Sequence, residues 1–384
     1  MRGEISSRLW NRRELLAGGA IGLFGAAAMA APSAKVAVAR CAAYDAGVLA
    51  ALRTMFDQIG GIGPLAAGKT VAVKINMSGP VRARTGYRPA WYTHWSHPAV
   101  IGAAVHLIGE AGASRIRIVE SSSYDDHPLE ENFLLGGWEP DDLLKAARNV
   151  EMENTSYLGK GKRYSQLKVP GGGLIYPAFD VNHSYVDCDV LVSIAKLKEH
   201  CNTGVSLSLK NMVGAAPGAV YGDAAGYDAP ALRPFGALTM FHTGSRQPPE
   251  GTPAEKDPNS PREYGHRVPR ITVDIVRSRP IDLAIIDGIE TQTAMETAAE
   301  QPAKGPVRMV RPGILVAGRN PVCTDAVAMA IMGFDPMADR GAAPFETSDS
   351  TLRLAEEAGI GSRDTRTIEV AGVTIREARF PFRA

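Results

Sequence analysis

Cysteine is scarce in this 384-residue chain: Cys41, Cys188, Cys201 and Cys323 are all it holds, and no C-x-x-C-x-x-C run occurs. That excludes a ferredoxin-type iron-sulfur cluster and electron transfer through one, and the spacings match no zinc signature. Buried thiols are expected, because a large core needs no disulfides; Cys188 with Cys201 is the one pair left open to a bridge. Charge of one sign is lacking too. Lys and Arg number 42 against 41 Asp and Glu, with both signs scattered, so nothing in the charge points to nucleic acid. No internal repeat of solenoid period is visible. Long apolar runs are limited to Leu15–Ala31 (LLAGGAIGLFGAAAMAA), which at 17 residues, more than half of them Gly and Ala, sits at the bottom of the membrane-spanning range.

The neighbours of that run give it a meaning. Asn11-Arg12-Arg13 places a twin arginine before it, and Ala28-Met29-Ala30 offers a small-residue cleavage site within it. Together they read as a twin-arginine signal peptide over residues 1–30, cleaved after Ala30, rather than a membrane anchor. No cysteine stands at the cleavage site, so a lipoprotein anchor is unsupported. The expectation is export by the twin-arginine translocase to a periplasmic or otherwise extracytoplasmic location, without a stable membrane anchor. Proteins that take this route fold before crossing, often around a cofactor. Losing residues 1–30 removes four arginines and two glutamates and moves the net charge from +1 to −1.

The stretch Gly63–Thr70 (GPLAAGKT) fits the nucleotide-binding pattern G-x-x-x-x-G-K-[ST] letter for letter. That pattern cradles phosphate only where a strand enters the loop and a helix leaves it. Here the order is reversed. Ala46–Ile59 carries apolar residues at helical spacing upstream, and Thr70–Ile75 (TVAVKI) reads as a strand downstream. The motif is therefore a helix-to-strand turn and not a P-loop.

From Lys35 onward short apolar runs alternate with amphipathic stretches, which predicts an α/β fold: a layered, mostly parallel sheet with flanking helices. Strands are expected at Lys35–Ala39, Thr70–Ile75, Arg115–Glu120, Val190–Ala195, Ile281–Asp287 and Ile314–Ala317. Helices are expected at Ala46–Ile59, Pro98–Ala111, Asp141–Arg148, Val268–Ser278 and Pro321–Met332. Residues 150–180 read as a hairpin excursion. Residues 35–384 are read as one elaborated domain. Within it the Gly- and Pro-rich segment 214–267, lacking any sustained period, is either a lid or a passive insertion. Its aromatic residues Tyr221, Tyr227, Phe235, Phe241 and Tyr264 argue for packing on something.

Ligands of open α/β sheets bind beyond the carboxyl ends of the strands, and polar residues collect there. Lys74 and Asn76 follow one strand and Glu120 ends another; Lys196, Lys198 and His200 follow a third; Asp287 closes a fourth, and Asp325 begins a helix after the last. Each alone has a bland reading as a snorkelling lysine, a turn or a helix-start acid. In extended chain Lys196, Lys198 and His200 would project to one side. Val205–Gly214 (VSLSLKNMVG) reads as a helix closed by Gly214, with Lys210 on a face with Thr203, Ser206 and Leu207, although the VSLSL alternation leaves a strand open. His200 is the candidate for proton transfer, and crowded Lys198 and Lys210 are candidate bases or imine-forming amines. Lys74, Asn76, Lys196 and Asn211 are the candidate ligand contacts, and Glu120, Asp287 and Asp325 the candidate metal ligands. Such a rim fits either an anionic small molecule or a divalent metal bridging ligand and carboxylates. His97 reads as a helix cap; His94 with His97 as a metal pair is the weaker reading, and Asp125-Asp126-His127 reads as a solvated turn.

At these residues the sequence resembles the domain-of-unknown-function family 362, whose members often carry twin-arginine signals. The matching pieces are VAVKINMSGP (71–80), SHPAVIGAAVHLIGEAGASRIRIVES (96–121), DVLVSIAKLKEHCNTGVSLSLKNMVGAAPG (189–218), IDLAIIDGIETQTAME (281–296) and NPVCTDAVAMAIMGFDP (320–336), spanning roughly 70–340. The resemblance implies that Lys74, Asn76, Glu120, Lys198, His200, Lys210, Asn211, Asp287 and Asp325 occupy the family's characteristic polar positions. It implies no reaction. Some members carry ferredoxin-like clusters, for which this chain lacks the cysteines, and Thr297-Ala298 stands where relatives tend to have Gly. The expectation is an exported enzyme doing acid-base chemistry on a small anionic metabolite or envelope component; the alternative is a non-catalytic periplasmic ligand-binding or accessory protein.

Overall fold

The computed structural model describes residues 34–122, 127–233, 238–295 and 305–383. The signal peptide, Asp125-Asp126, Phe235 and Thr297-Ala298 lie outside the described residues. Eight strands build the main sheet: β1 Val36–Arg40, β2 Thr70–Lys74, β3 Arg115–Glu120, β4 Val150–Asn154, β5 Val190–Lys196, β6 Leu283–Gly288, β7 Ile314–Gly318 and β8 Val370–Gly372. Their order is β8-β1-β7-β6-β5-β2-β3-β4. All neighbours run parallel except β7, which is antiparallel to both β1 and β6. The carboxyl ends of β1, β6, β5, β2, β3 and β4 therefore share one rim.

Nearly continuous apolar strands are what a sheet covered on both faces demands. Helices α1 (Gly47–Gln58) and α2 (Pro98–Glu110) bury Leu52, Phe56, Ile101 and Val105 against Val73, Val192, Ile194 and Ile285 on one face. Helices α3 (Tyr264–Ser278) and α4 (Pro321–Ile331) bury Ile271, Ile275, Val322 and Val327 against Ala72, Leu191, Ala284 and Ile286 on the other. Even and odd residues of β2, β5 and β6 thus serve different cores, as the period of two requires.

Several expectations need correction. Residues 150–180 do not form one hairpin: Val150–Asn154 is the edge strand of the main sheet, and the ribbon follows as Ser165–Lys168 with Ala178–Val181. The charges of VEMEN hid that strand; Glu151 is tied to Arg115, Arg117 and Lys160. Residues 141–148 supply only Pro140–Leu144 as helix, and α3 begins at Tyr264, four residues early, with Pro269 inside it. GPLAAGKT does form a helical turn, Gly63–Ala66, leading into β2. In the 214–267 segment Tyr221 and Phe241 are fully buried, their ring centroids 4.8 Å apart, and pack with Tyr176 and Phe179 into the core. Tyr227 and Tyr264 are exposed. All four cysteines are thiols, three buried and Cys201 partly exposed. Among the described residues no helix is long and apolar enough to cross a membrane.

Candidate active site

Lysine at the end of a buried strand must find acceptors or drag water in. Lys74, closing β2, sits wholly buried on the α3/α4 face. Its Nζ lies 2.7 Å from Glu120 Oε1 and donates to the Ile75 carbonyl (2.7 Å) and to Asn211 Oδ1 (3.2 Å). The Glu120 carboxylate also accepts from the Met77 and Ser121 amides, at 2.8 and 3.0 Å. Burial pulls both partners toward their neutral forms, Lys74 downward and Glu120 upward, against the attraction each exerts on the other. Asn211 donates to Ser193 Oγ (2.9 Å) and to the carbonyls of Lys74 and Ile194. Gly214 passes so close that a Cβ there would stand 2.5 Å from Glu120 Oε1 and 2.8 Å from Lys74 Nζ.

Lys196, closing β5, has the opposite parity and enters the α1/α2 face. Its Nζ lies 2.9 Å from Asp287 Oδ2, from the Tyr44 hydroxyl and from the Trp91 carbonyl. Tyr44, half-buried after the carboxyl end of β1, donates to Asp287 Oδ1 (2.9 Å) and lies stacked on His97, centroids 3.5 Å apart. Burial and Asp287 hold the Tyr44 hydroxyl well above its ordinary value. His97 caps α2 by accepting from the Ala99 amide, and burial with the nearby Lys196 cation pushes its imidazole down to about 2.

Lys198 follows two residues after Lys196 and is wholly buried. Its Nζ donates to Asn76 Oδ1 (3.0 Å), Ser78 Oγ (2.7 Å) and the His94 carbonyl (2.8 Å). Strand pairing lapses at Leu197-Lys198, and a two-residue ribbon follows, Glu199–His200 paired with Gly204–Val205. Lys196 and Lys198 both donate to carbonyls of the 91–94 segment, those of Trp91 and His94. His200 is buried on that ribbon, its Nδ1 accepting from the Asn202 amide at 3.0 Å.

The ribbon feeds the short helix Leu207–Asn211. The helical reading of Val205–Gly214 thus holds from Leu207 on, while Val205 is strand. Leu207 carries φ of +51°, a left-handed conformation costly for a leucine. The turn it makes aims the amides of Ser208 and Leu209 at Asp325, each at 2.9 Å, and brings Ser208 Oγ to 2.6 Å. Burial raises the Asp325 carboxyl to about 7 despite these three donors. Lys210 is the part-exposed member of this helix. Hydrogen bonds join the parts: the Ser206 amide to the Lys198 carbonyl at 2.9 Å, Ser193 Oγ to the Ser208 carbonyl, and Asn211 to the Lys74 carbonyl.

The expected metal triad does not assemble. Glu120 is held by Lys74, Asp287 by Lys196 and Asp325 by Ser208, and among the described residues no group of three His, Cys, Asp or Glu side chains could hold an ion. What the sequence reading missed is Tyr44, Ser193 and Ser208. Tyr44 follows the carboxyl end of β1 and so obeyed the same rim rule that found Lys74; the two serines gave no signal.

The sequence profile described as Domain of unknown function (DUF362) matches residues 71–330. The chain is similar to a thylakoid-associated protein of Synechocystis sp., 25% identical over 306 residues that cover 79% of this chain and 75% of that one. Among solved structures it is similar to the lactate racemase apoprotein from Thermoanaerobacterium thermosaccharolyticum, at 11% identity and a TM-score of 0.35. That match covers 73% of this chain and 54% of the racemase, about half its length.

Proposed function

Since the chain belongs to the domain-of-unknown-function family DUF362, whose match at residues 71–330 takes in the lysine-lined rim, we propose that it is an enzyme moving protons on a small anionic metabolite or envelope component. One observation carries this reading: Lys74, Lys196 and Lys198 are completely buried at the ends of two adjacent parallel strands. Replacing a buried ion pair by apolar residues is often neutral or stabilising, so stability alone gives no reason to keep three ammonium groups there. Shifted titratable groups gathered at a strand rim are the mark of a functional site. In this reading His200 transfers the proton and Lys198 and Lys210 polarise the substrate anion or act as base. Lys74, Asn76, Lys196 and Asn211 orient it, Glu120 and Asp287 set the charge of their lysine partners, and Asp325 holds the turn at Ser208 and Leu209. The twin arginine Arg12-Arg13 supports action outside the cytoplasm after passage through the twin-arginine translocase.

The non-catalytic alternative draws on Glu120 and Asp287, which already neutralise two of the lysines and leave a site able to hold an anion without chemistry. A panel of carboxylate and phosphate metabolites, incubated with the exported protein in D2O, separates the readings. An enzyme should exchange a substrate C–H for deuterium, bind with a rise in Tm, and lose exchange but keep the Tm rise in His200→Ala. A Tm rise without exchange selects the binder. No Tm rise and no exchange across the panel would overturn both. Fractionation tests the location: Arg12→Lys/Arg13→Lys should retain the protein in the cytoplasm, and unchanged export would refute the signal.

A further inference from the structure

Glu199, next to His200, is wholly buried, and nothing near it in sequence accounts for that. One carboxylate oxygen accepts from the Ala294 amide at 2.7 Å and the other from Arg383 Nε at 2.7 Å, across 184 residues. Arg383 also binds the Glu346 carboxylate and lies 5.2 Å over the Phe334 ring. It is presented by an anchored segment: Phe382 is buried, its amide donates to the Met332 carbonyl at 2.9 Å, and its carbonyl accepts from Arg308. From the same side Phe345, beside Glu346, packs so tightly under Gly204 that a Cβ on Gly204 would lie 2.5 Å from the ring. Gly204 is the residue paired with His200.

A ribbon of two residue pairs cannot hold its own register, because so few hydrogen bonds do not offset the entropy of closing it. A buried carboxylate without a cation would protonate or leave the interior. We propose that Arg383 is a positioning residue for the candidate site: by bridging Glu199 to Glu346 it fixes the ribbon that carries His200. Phe345 supplies the floor and Arg383 the clamp, so the place of the imidazole is set by a residue that touches neither it nor any substrate.

The inference rests on the proposed function only in counting this ribbon as part of the site, and its test uses no ligand. Absence of metabolite binding and failure of the clamp are therefore separate results. The full chain is treated with diethyl pyrocarbonate and modification is read residue by residue by peptide mass spectrometry, with His106 on α2, whose side chain is 42% exposed, as internal reference. In Arg383→Ala the His200 rate should rise about tenfold relative to His106, as local opening of the ribbon replaces opening of the whole protein. Arg383→Lys, which keeps the charge but not the fork, should fall between that variant and the parent. An unchanged His200 ratio in folded Arg383→Ala, or a parallel rise at every histidine, would overturn the proposal. If Arg383→Ala does not fold, Glu346→Gln opens one arm of the clamp while retaining the Glu199 pair, and the same ratio decides.

Discussion

Lys74→Met is expected to lower the unfolding free energy by about 3–5 kcal/mol, the usual cost of stripping one partner from a buried ion pair. Removing the ammonium leaves Glu120 facing only the Met77 and Ser121 amides and leaves Asn211 Oδ1 without its donor. Methionine fills the lysine stem's volume, so the loss comes from the charge and not from a cavity. Glu120→Gln should cost a similar amount by leaving the Lys74 ammonium buried without a counter-charge, among neutral acceptors such as the Ile75 carbonyl and Asn211. The double variant should regain most of that loss and lie within about 1–2 kcal/mol of the parent, since neutral groups carry a far smaller desolvation penalty. Urea unfolding of the four proteins closes the cycle. If the double variant costs as much as the two single variants added together, the pair is not coupled, and the charged rim on which the proposed function stands loses its central member.

The sheet was legible wherever apolar residues ran unbroken. Six strands lie within a residue or two of their expected places, five because a strand covered on both faces is largely apolar and Arg115–Glu120 because Ile116, Ile118 and Val119 stand among its charges. Val150–Asn154 escaped because its outward glutamates look like loop until Arg115 and Arg117 of the neighbouring strand are seen beside them. The reversed direction of β7 follows from connectivity, not from its own apolar sequence: an antiparallel neighbour needs no helical crossover. At the site, the rim rule found Lys74, Glu120, Lys196, Lys198 and Asp287 because topology alone sends strand ends to one side. Parity then divides them between two faces, Lys74 with Glu120 on one and Lys196 with Asp287 on the other. Asp325 looked like an ordinary first-turn acid. Its actual partners, Ser208 and Leu209, lie 117 and 116 residues away and became neighbours only through the left-handed turn at Leu207.

Asp325→Asn should make the protein's stability less sensitive to pH on the acid side of neutrality. Burial holds the Asp325 carboxyl at about 7 in the folded chain against an ordinary value of 3.8. For an acid whose folded value is the higher one, the stabilising contribution is complete below the unfolded value and is lost as pH rises through the folded value. The window is therefore roughly pH 4 to 7, and across it the native state should lose up to about 4 kcal/mol relative to the asparagine variant, at 1.36 kcal/mol for each unit of displacement. Asparagine accepts at one oxygen only, so its amide nitrogen will conflict with one of the Ser208 and Leu209 donors; that cost is the same at every pH and appears as an offset. The slope of the difference is what counts. Urea unfolding of both proteins at pH 5, 6, 7 and 8 should give curves that converge or cross as pH rises, with the parent favoured in acid. Parallel curves would mean that Asp325 is ionised throughout, its three donors having outweighed burial. A sloping difference would put a carboxyl that exchanges its proton near neutral pH within 2.6 Å of the Ser208 hydroxyl. Acid-base chemistry at neutral pH uses a group of this kind.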